Sequence, residues 1–242
     1  MNLVIDIGNT NRKAALFGKS IEPLQVHRSE ILFLNELKDW FVNHKISHCL
    51  ISVSGEEDTL LEDFIQEKCK LIKLNAETKL PIKNLYKTPE TLGDDRISNV
   101  CGAAALYPEK DVLVIDVGTC ITYDFLDHKK RYHGGSISPG MQMRFRAMHE
   151  FTARLPLVKP TEEIQLTGST TAESILSGTV NGIAEECNGI ILQYTEKHPS
   201  LKTIITGGDA PYFEKRIKMP IFAAPMLSFI GMNEILKHNV HT

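Results

Sequence analysis

Short apolar runs alternate with amphipathic stretches along this chain of 242 residues. Leu3 to Ile7 is a continuous apolar run broken only by Asp6, the pattern of a buried strand. Ala14 to Phe17 reads as its hairpin partner, with Gly-Asn-Thr-Asn as turn chemistry between them. Cys49 to Val53 and Leu71 to Leu74 predict two further strands. Between them Leu60, Leu61, Phe64 and Ile65 recur at helical spacing, which predicts an amphipathic helix over about 57–69. An Ala-rich helix is expected after Asp95, through Cys101 to Leu106. Val112 to Asp116 and Ile121 to Phe125 repeat the opening hairpin. Leu176, Val180, Ile183, Cys187 and Ile190 form the stripe of a long helix beginning near Thr170. Thr203 to Thr206 predicts a strand ending in Gly207-Gly208, and a last helix covers about 225–237.

The repeat is close. Leu3-Val-Ile-Asp6 and Leu113-Val-Ile-Asp116 are each followed by one apolar residue, a glycine and a polar turn. A single recurrence at this distance is far beyond a solenoid period and predicts duplicated half-domains. The division falls at 1–110 and 111–242. Each half would lead with a hairpin and continue in strand–helix alternation, giving an α/β architecture of mixed sheets flanked by helices.

Composition narrows the function classes. Apolar residues make up 42% and charged residues 24% of the chain, as in ordinary globular proteins. The formal net charge of −3 gives no basic excess of the kind nucleic-acid binding needs, so no nucleic-acid partner is expected. No apolar run approaches the roughly 20 residues that span a bilayer, and no membrane partner is expected. The five scattered cysteines make no CxxC or Cys/His cluster, and the nine histidines show no ligand spacing. A reduced, cytoplasmic setting is expected.

The repeated phrase carries the chemistry. An Asp ending an apolar strand is costly there unless partnered. The Gly beside it lets the backbone turn tightly and lets a ligand approach. Hydroxyl, amide and backbone N–H groups in such a turn can hold phosphate oxygens, while the carboxylate holds a cation directly or through water. One copy alone reads equally well as a hairpin turn with its own side-chain cap; two copies in matching context favour a clamp on the phosphates of a nucleotide. No GxxxxGK[ST] loop and no GxGxxG is present. The Gly207-Gly208-Asp209 turn suits either a base or ribose lying on the backbone or a plain strand end.

The doubled Asp-x-Gly turn with a later Gly-Gly turn resembles the acetate kinase, sugar kinase, heat-shock chaperone and actin superfamily. Within it the chain resembles type III pantothenate kinase over nearly its whole length. The resemblance is carried by Asp6-Ile-Gly-Asn-Thr10, Tyr86 with Gly93-Asp-Asp-Arg96, Asp116-Val-Gly-Thr119, Gly134-Gly-Ser-Ile-Ser-Pro-Gly140 and Gly168-Ser-Thr-Thr171.

The resemblance implies duplicated actin-like ATPase (ribonuclease H-like) half-domains and ATP-dependent phosphorylation of pantothenate, the opening step of coenzyme A biosynthesis. Another small-molecule kinase or phosphohydrolase of the superfamily is the alternative, and a regulatory ATP-binding protein the non-enzymatic one. Asp6, Ile7, Gly8, Asn9, Thr10, Asn11, Arg12 and Lys13 would bind ATP, and Thr119 would contact phosphate. Asp116 would hold a monovalent cation, potassium or ammonium, and Asp6 would hold Mg²⁺ directly or through water. Asp95 would accept the proton. Tyr86, Gly93, Asp94, Asp95, Arg96 and Thr171 would bind pantothenate, in a homodimer with that site at the interface. Asp94 departs from the family's usual small residue and reads otherwise as an exposed turn residue or helix N-cap. The Gly134–Gly140 stretch is expected to be a substrate-facing loop, with a helix from Met141 to Met148.

Overall fold

The computed structural model describes residues 1–8, 12–29, 34–55 and 58–240. The chain forms two compact units. The first holds β1 (Asn2–Ile7), β2 (Arg12–Phe17), β3 (Gln25–Ser29), α1 (Leu34–Asn43), β4 (His48–Val53), α2 (Thr59–Lys68), β5 (Lys70–Lys73), β6 (Lys83–Asn84) and α3 (Asp94–Leu106). The chain then builds β7 (Val112–Val117), β8 (Cys120–Leu126), β9 (Arg131–Pro139), α4 (Met141–Glu150), α5 (Thr171–Lys197), β10 (Lys202–Thr206), α6 (Ala210–Glu214) and β11 (Phe222–Ala223) in the second unit. It ends in α7 (Leu227–Val240), which folds with the first unit, where a linear division at 110 had not placed it. Arg131 and Tyr132, the opening residues of β9, also fold with the first unit and pair with β6.

The two sheets carry the duplication in their strand order. The first runs β3-β2-β1-β4-β5, and the second unit repeats it as β9-β8-β7-β10-β11. In each, the strand that carries the acidic phrase is central, antiparallel to its hairpin partner and parallel to the strand on its other side. Asp6 stands opposite Lys13 and Ser52. Asp116 stands opposite Thr122 and Thr206.

The near-continuous apolar reading of β1 follows from cover on both faces. Leu3, Ile5 and Ile7 pack with Leu37, Leu61 and Ile65 of α1 and α2. The alternate residues Asn2, Val4 and Asp6 share the opposite face, where Asn2 Nδ2 donates to Asn233 Oδ1 of α7 at 2.9 Å. There α7 crosses α3 so closely that a Cβ on Gly231 would overlap the Ser98 carbonyl. In the second unit Leu113, Ile115 and Val117 pack against Val180, Ile183 and Cys187 of α5, the stripe expected from the sequence.

The expected loop over Gly134–Gly140 is instead the strand β9, up to Pro139. Gly135 is required by proximity: a Cβ there would overlap the Tyr123 carbonyl of β8. Turn-forming composition had outweighed the pairing that the neighbouring strand supplies.

Candidate active site

In the first unit the end of β1, the end of β4 and the start of α3 converge on three carboxylates. Gly93 is the N-cap of α3, so Asp94 and Asp95 occupy its first turn. That corrects the alternative reading of Asp94 as an exposed turn residue or N-cap: it is partly buried in the first turn of the helix. Asp95 Oδ1 accepts the Arg96 backbone N–H at 2.8 Å, and the positive end of the helix favours both acids. Ser52 Oγ donates to Asp94 Oδ2 at 3.1 Å. Burial pushes the Asp6 carboxyl above its ordinary range; Lys13 opposes the rise and the charge of Asp95 adds to it. Burial also raises Asp94, the Ser52 hydrogen bond opposes this, and the charges of Asp95 and Asp6 add to it. Lys13 Nζ lies 3.6 Å from Asp6 Oδ2. Asp6, Asp94 and Asp95 thus form one like-charged group, and a bound cation would relieve its repulsion. One or two of these carboxylates fit a magnesium ion held with nucleotide phosphate, although among the described residues no group of three or more His, Cys, Asp or Glu is arranged as a metal cage. Magnesium bound through one or two carboxylates and phosphate needs no such cage.

Tyr86 and the Gly93–Arg96 turn are also brought together. The Arg96 guanidinium lies 5.5 Å from the centre of the Tyr86 ring, within cation–π range. The other face of the arrangement is set by Tyr132, whose buried ring stacks on Tyr86 at 6.1 Å. Arg12 is paired with Asp58, the buried N-cap of α2. Ile7 ends β1 as expected and Gly8 follows it, whereas Asn9, Thr10 and Asn11 lie outside the described residues.

In the second unit the turn after β7 is built from behind. Gly118 N–H donates to Cys120 O, and Gly140 N–H donates to Thr119 O, both at 3.0 Å. Thr119 itself is exposed. Gly207 has φ +101°, and a Cβ there would overlap both Asp116 Oδ1 and the Val117 carbonyl. The Asp209 N–H donates to Val117 O at 2.9 Å, so the Gly-Gly turn after β10 packs directly on the second acidic turn. Gly207 thus packs directly against the Asp116 carboxylate, where any side chain would clash. Burial raises the Asp209 carboxyl. Thr171 occupies the exposed first position of α5. Thr170 and Glu173 cap that helix reciprocally, at 3.2 Å in each direction.

Sequence reasoning had passed over Ser52 and had assigned no contact to Gly140. A buried serine closing an apolar strand was the available signal for Ser52. For Gly140 no local signal separates a helix cap from a brace on a distant turn.

The duplicated β-hairpin sheets, each with an acidic turn, define an actin-like ATPase fold of the kind used by sugar kinases. The structure is similar to a ROK family glucokinase from Streptomyces griseus solved with glucose and AMPPNP, with TM-score 0.54 and 11% identity over 98% of this chain and 99% of that one. It is also similar to a Campylobacter jejuni protein assigned to the Baf family of transcriptional activators, with TM-score 0.62 and 21% identity over 99% and 100% of the two chains. The family follows from sequence. Residues 2–193 match the type III pantothenate kinase family. The chain is 41% identical over 240 residues to the type III pantothenate kinase of Phocaeicola vulgatus, covering 99% of each. It belongs to the type III pantothenate kinase family.

Proposed function

We infer that the chain transfers the γ-phosphate of ATP to the primary hydroxyl of pantothenate, giving 4′-phosphopantothenate, the first step of coenzyme A biosynthesis. Family membership names the substrates. The observation that carries the chemistry is the Asp6, Asp94 and Asp95 group at the start of α3, with Arg96 and Tyr86 beside it.

Phosphoryl transfer asks a protein mainly for positioning and charge neutralisation. As a kinase the chain uses ATP with a divalent metal, which neutralises phosphate charge when bound. Asp6 would hold that metal, and Lys13 beside it suits a phosphate oxygen. Asp95 orients the acceptor hydroxyl and takes its proton as the new P–O bond forms and the bond to the leaving ADP oxygen breaks. Arg96 and Tyr86 suit the carboxylate and apolar body of a small acid such as pantothenate. Thr119 would contact phosphate, and Asp116 would hold potassium or ammonium. Asp6→Asn is expected to raise the magnesium concentration for half-maximal activity about tenfold, with little change for pantothenate. A magnesium titration checks this, and an unchanged midpoint would leave Asp6 as a turn residue only.

The proposed assembly is a homodimer with pantothenate, contacted by Thr171, at the subunit interface. Support comes from the resemblance and from Phe151 and Leu166 of the second unit, which are 85% and 84% exposed. A purely monomeric sedimentation profile at assay concentration would remove it. The cytoplasm is the proposed compartment, supported by ATP use and by five unpaired thiols; recovery of the native chain in an oxidising compartment on cell fractionation would overturn that.

The test of function is ADP release over a panel of small alcohols, in sodium, potassium and ammonium salts at fixed ionic strength. ADP release should require pantothenate and rise with potassium or ammonium, and the cation effect should vanish in Asp116→Ala. Turnover with other alcohols alone would move the chain to another small-molecule kinase. Equal rates in all three salts would sink the cation assignment.

A further inference from the structure

We propose that Arg144 and Glu186 are positioning residues for phosphate binding, locking the Ser138–Gly140 segment against the back of the Gly118–Thr119 turn. The proposal rests on the reading of Thr119 as a phosphate contact.

The chain of contacts is continuous within the second unit. Arg144 lies in the first turn of α4, and its side chain folds back over the helix start. Nε donates to the Pro139 carbonyl at 2.8 Å, and Nη2 donates to Ser138 Oγ at 2.9 Å. The same Nη2 reaches Glu186 Oε2 of α5 at 2.5 Å. The other oxygen of Glu186 accepts from Tyr123 Oη of β8 at 2.8 Å. Tyr123 is buried in the core of this unit. Glu186 is thus fixed on one side by a core phenol and fixes a guanidinium on the other. Burial pushes its carboxyl up, but hydrogen bonds from Arg144, Tyr123 and Ser138 outweigh this and hold it below the ordinary range. It stays charged wherever Arg144 needs a partner.

The segment held this way is the one that touches the turn. Gly140 N–H donates to Thr119 O at 3.0 Å. Gly140 also lies so close to the Gly118 carbonyl that any Cβ would overlap it. The brace therefore engages the carbonyl side of the turn and leaves the exposed Thr119 hydroxyl to a ligand. A guanidinium is required because two of its nitrogens serve three acceptors in a fixed plane, a pattern that an ammonium group does not reproduce. A small displacement of a positioned group costs much in phosphoryl transfer, where alignment supplies most of the rate.

Arg144→Lys and Glu186→Gln test this without emptying the site. Calorimetry with ADP and with pantothenate is run on each variant and on the parent chain, together with thermal unfolding. Both variants are expected to bind ADP about five- to twentyfold more weakly, with pantothenate affinity within about twofold and the fold intact. Tyr123→Phe should shift ADP affinity in the same direction by less. Unchanged ADP affinity in both variants overturns the proposal and leaves the kinase reading standing. Parallel losses for ADP and pantothenate overturn it as well, because they mark general loosening. A parent chain that binds no ADP removes the kinase reading and this proposal with it.

Discussion

Asp95→Asn is expected to lower kcat by about 10²–10⁴-fold while leaving ATP affinity within about twofold. Asparagine keeps the shape and the Oδ1 acceptor that receives the Arg96 N–H. The start of α3 therefore survives the change, and what is lost is the capacity to take a proton. The neighbouring acid is the control. Asp94 already has a partner in Ser52 Oγ, and its carboxyl is raised by burial and by the charges of Asp95 and Asp6. Asp94→Asn removes one of three repelling charges and should leave kcat within about fivefold. Steady-state kinetics of the two variants decides between the carboxylates. An active Asp95→Asn beside a dead Asp94→Asn would transfer the role to Asp94.

Much of the fold was legible where the pattern was local. Both acidic hairpins, α3, α5 and α7 follow from runs and stripes that solvent and core impose on neighbouring residues. Helix α1 was not anticipated, although Leu34, Leu37, Trp40 and Phe41 recur at helical spacing and pack on the first unit's core; Val42, 83% exposed, and a single fully buried residue blur that stripe. Strand β9 was hidden because glycine, serine and proline favour turns, and only the closeness of β8 makes them the right residues for a strand. The placement of α7 on the first unit has no local signature, since an apolar helix carries no label for the sheet it covers. The site divides in the same way. Asp6 and Asp116 could be named from their turns, and Asp95 only from the family resemblance. That Asp6 meets Asp94 and Asp95 depends on the register of β1 with β4 and on the entry of α3 at the end of β1, across a long stretch of sequence. Ser52, Gly140 and Arg144 act through contacts of that long-range kind; Ser52 and Arg144 carry no motif, and the motif that ends at Gly140 does not show which turn it meets.

Gly207→Ala is expected to damage both the fold of the second unit and its acidic turn. The residue has φ +101°, a region that L side chains rarely occupy. An added Cβ would overlap the Val117 carbonyl and Asp116 Oδ1 and lie 2.6 Å from Val117 N. Two of those three neighbours are backbone atoms of β7, which is held by ladders to β8 on one side and β10 on the other. They cannot rotate away as a flexible side chain would. Relief has to come from the turn itself, and the turn is tied to Val117 by the Asp209 N–H at 2.9 Å. Backbone strain and overpacking together are expected to cost about 2–5 kcal/mol of stability. Displacement of Asp116 and of the turn should also weaken ATP binding by more than about tenfold, since the phosphate contacts depend on alignment. The adjacent Gly208 supplies the comparison, because a Cβ there meets nothing within 4 Å. Gly208→Ala should stay within about 1 kcal/mol of the parent. Denaturant unfolding of the two variants, followed by ATP calorimetry on whichever fold, reads both effects. A Gly207→Ala as stable and as tight for ATP as the parent would mean that the second acidic turn does not depend on the close packing of the Gly-Gly turn. Equal destabilisation by the two alanines would trace the loss to the flexibility of the pair instead of to the contact at 207.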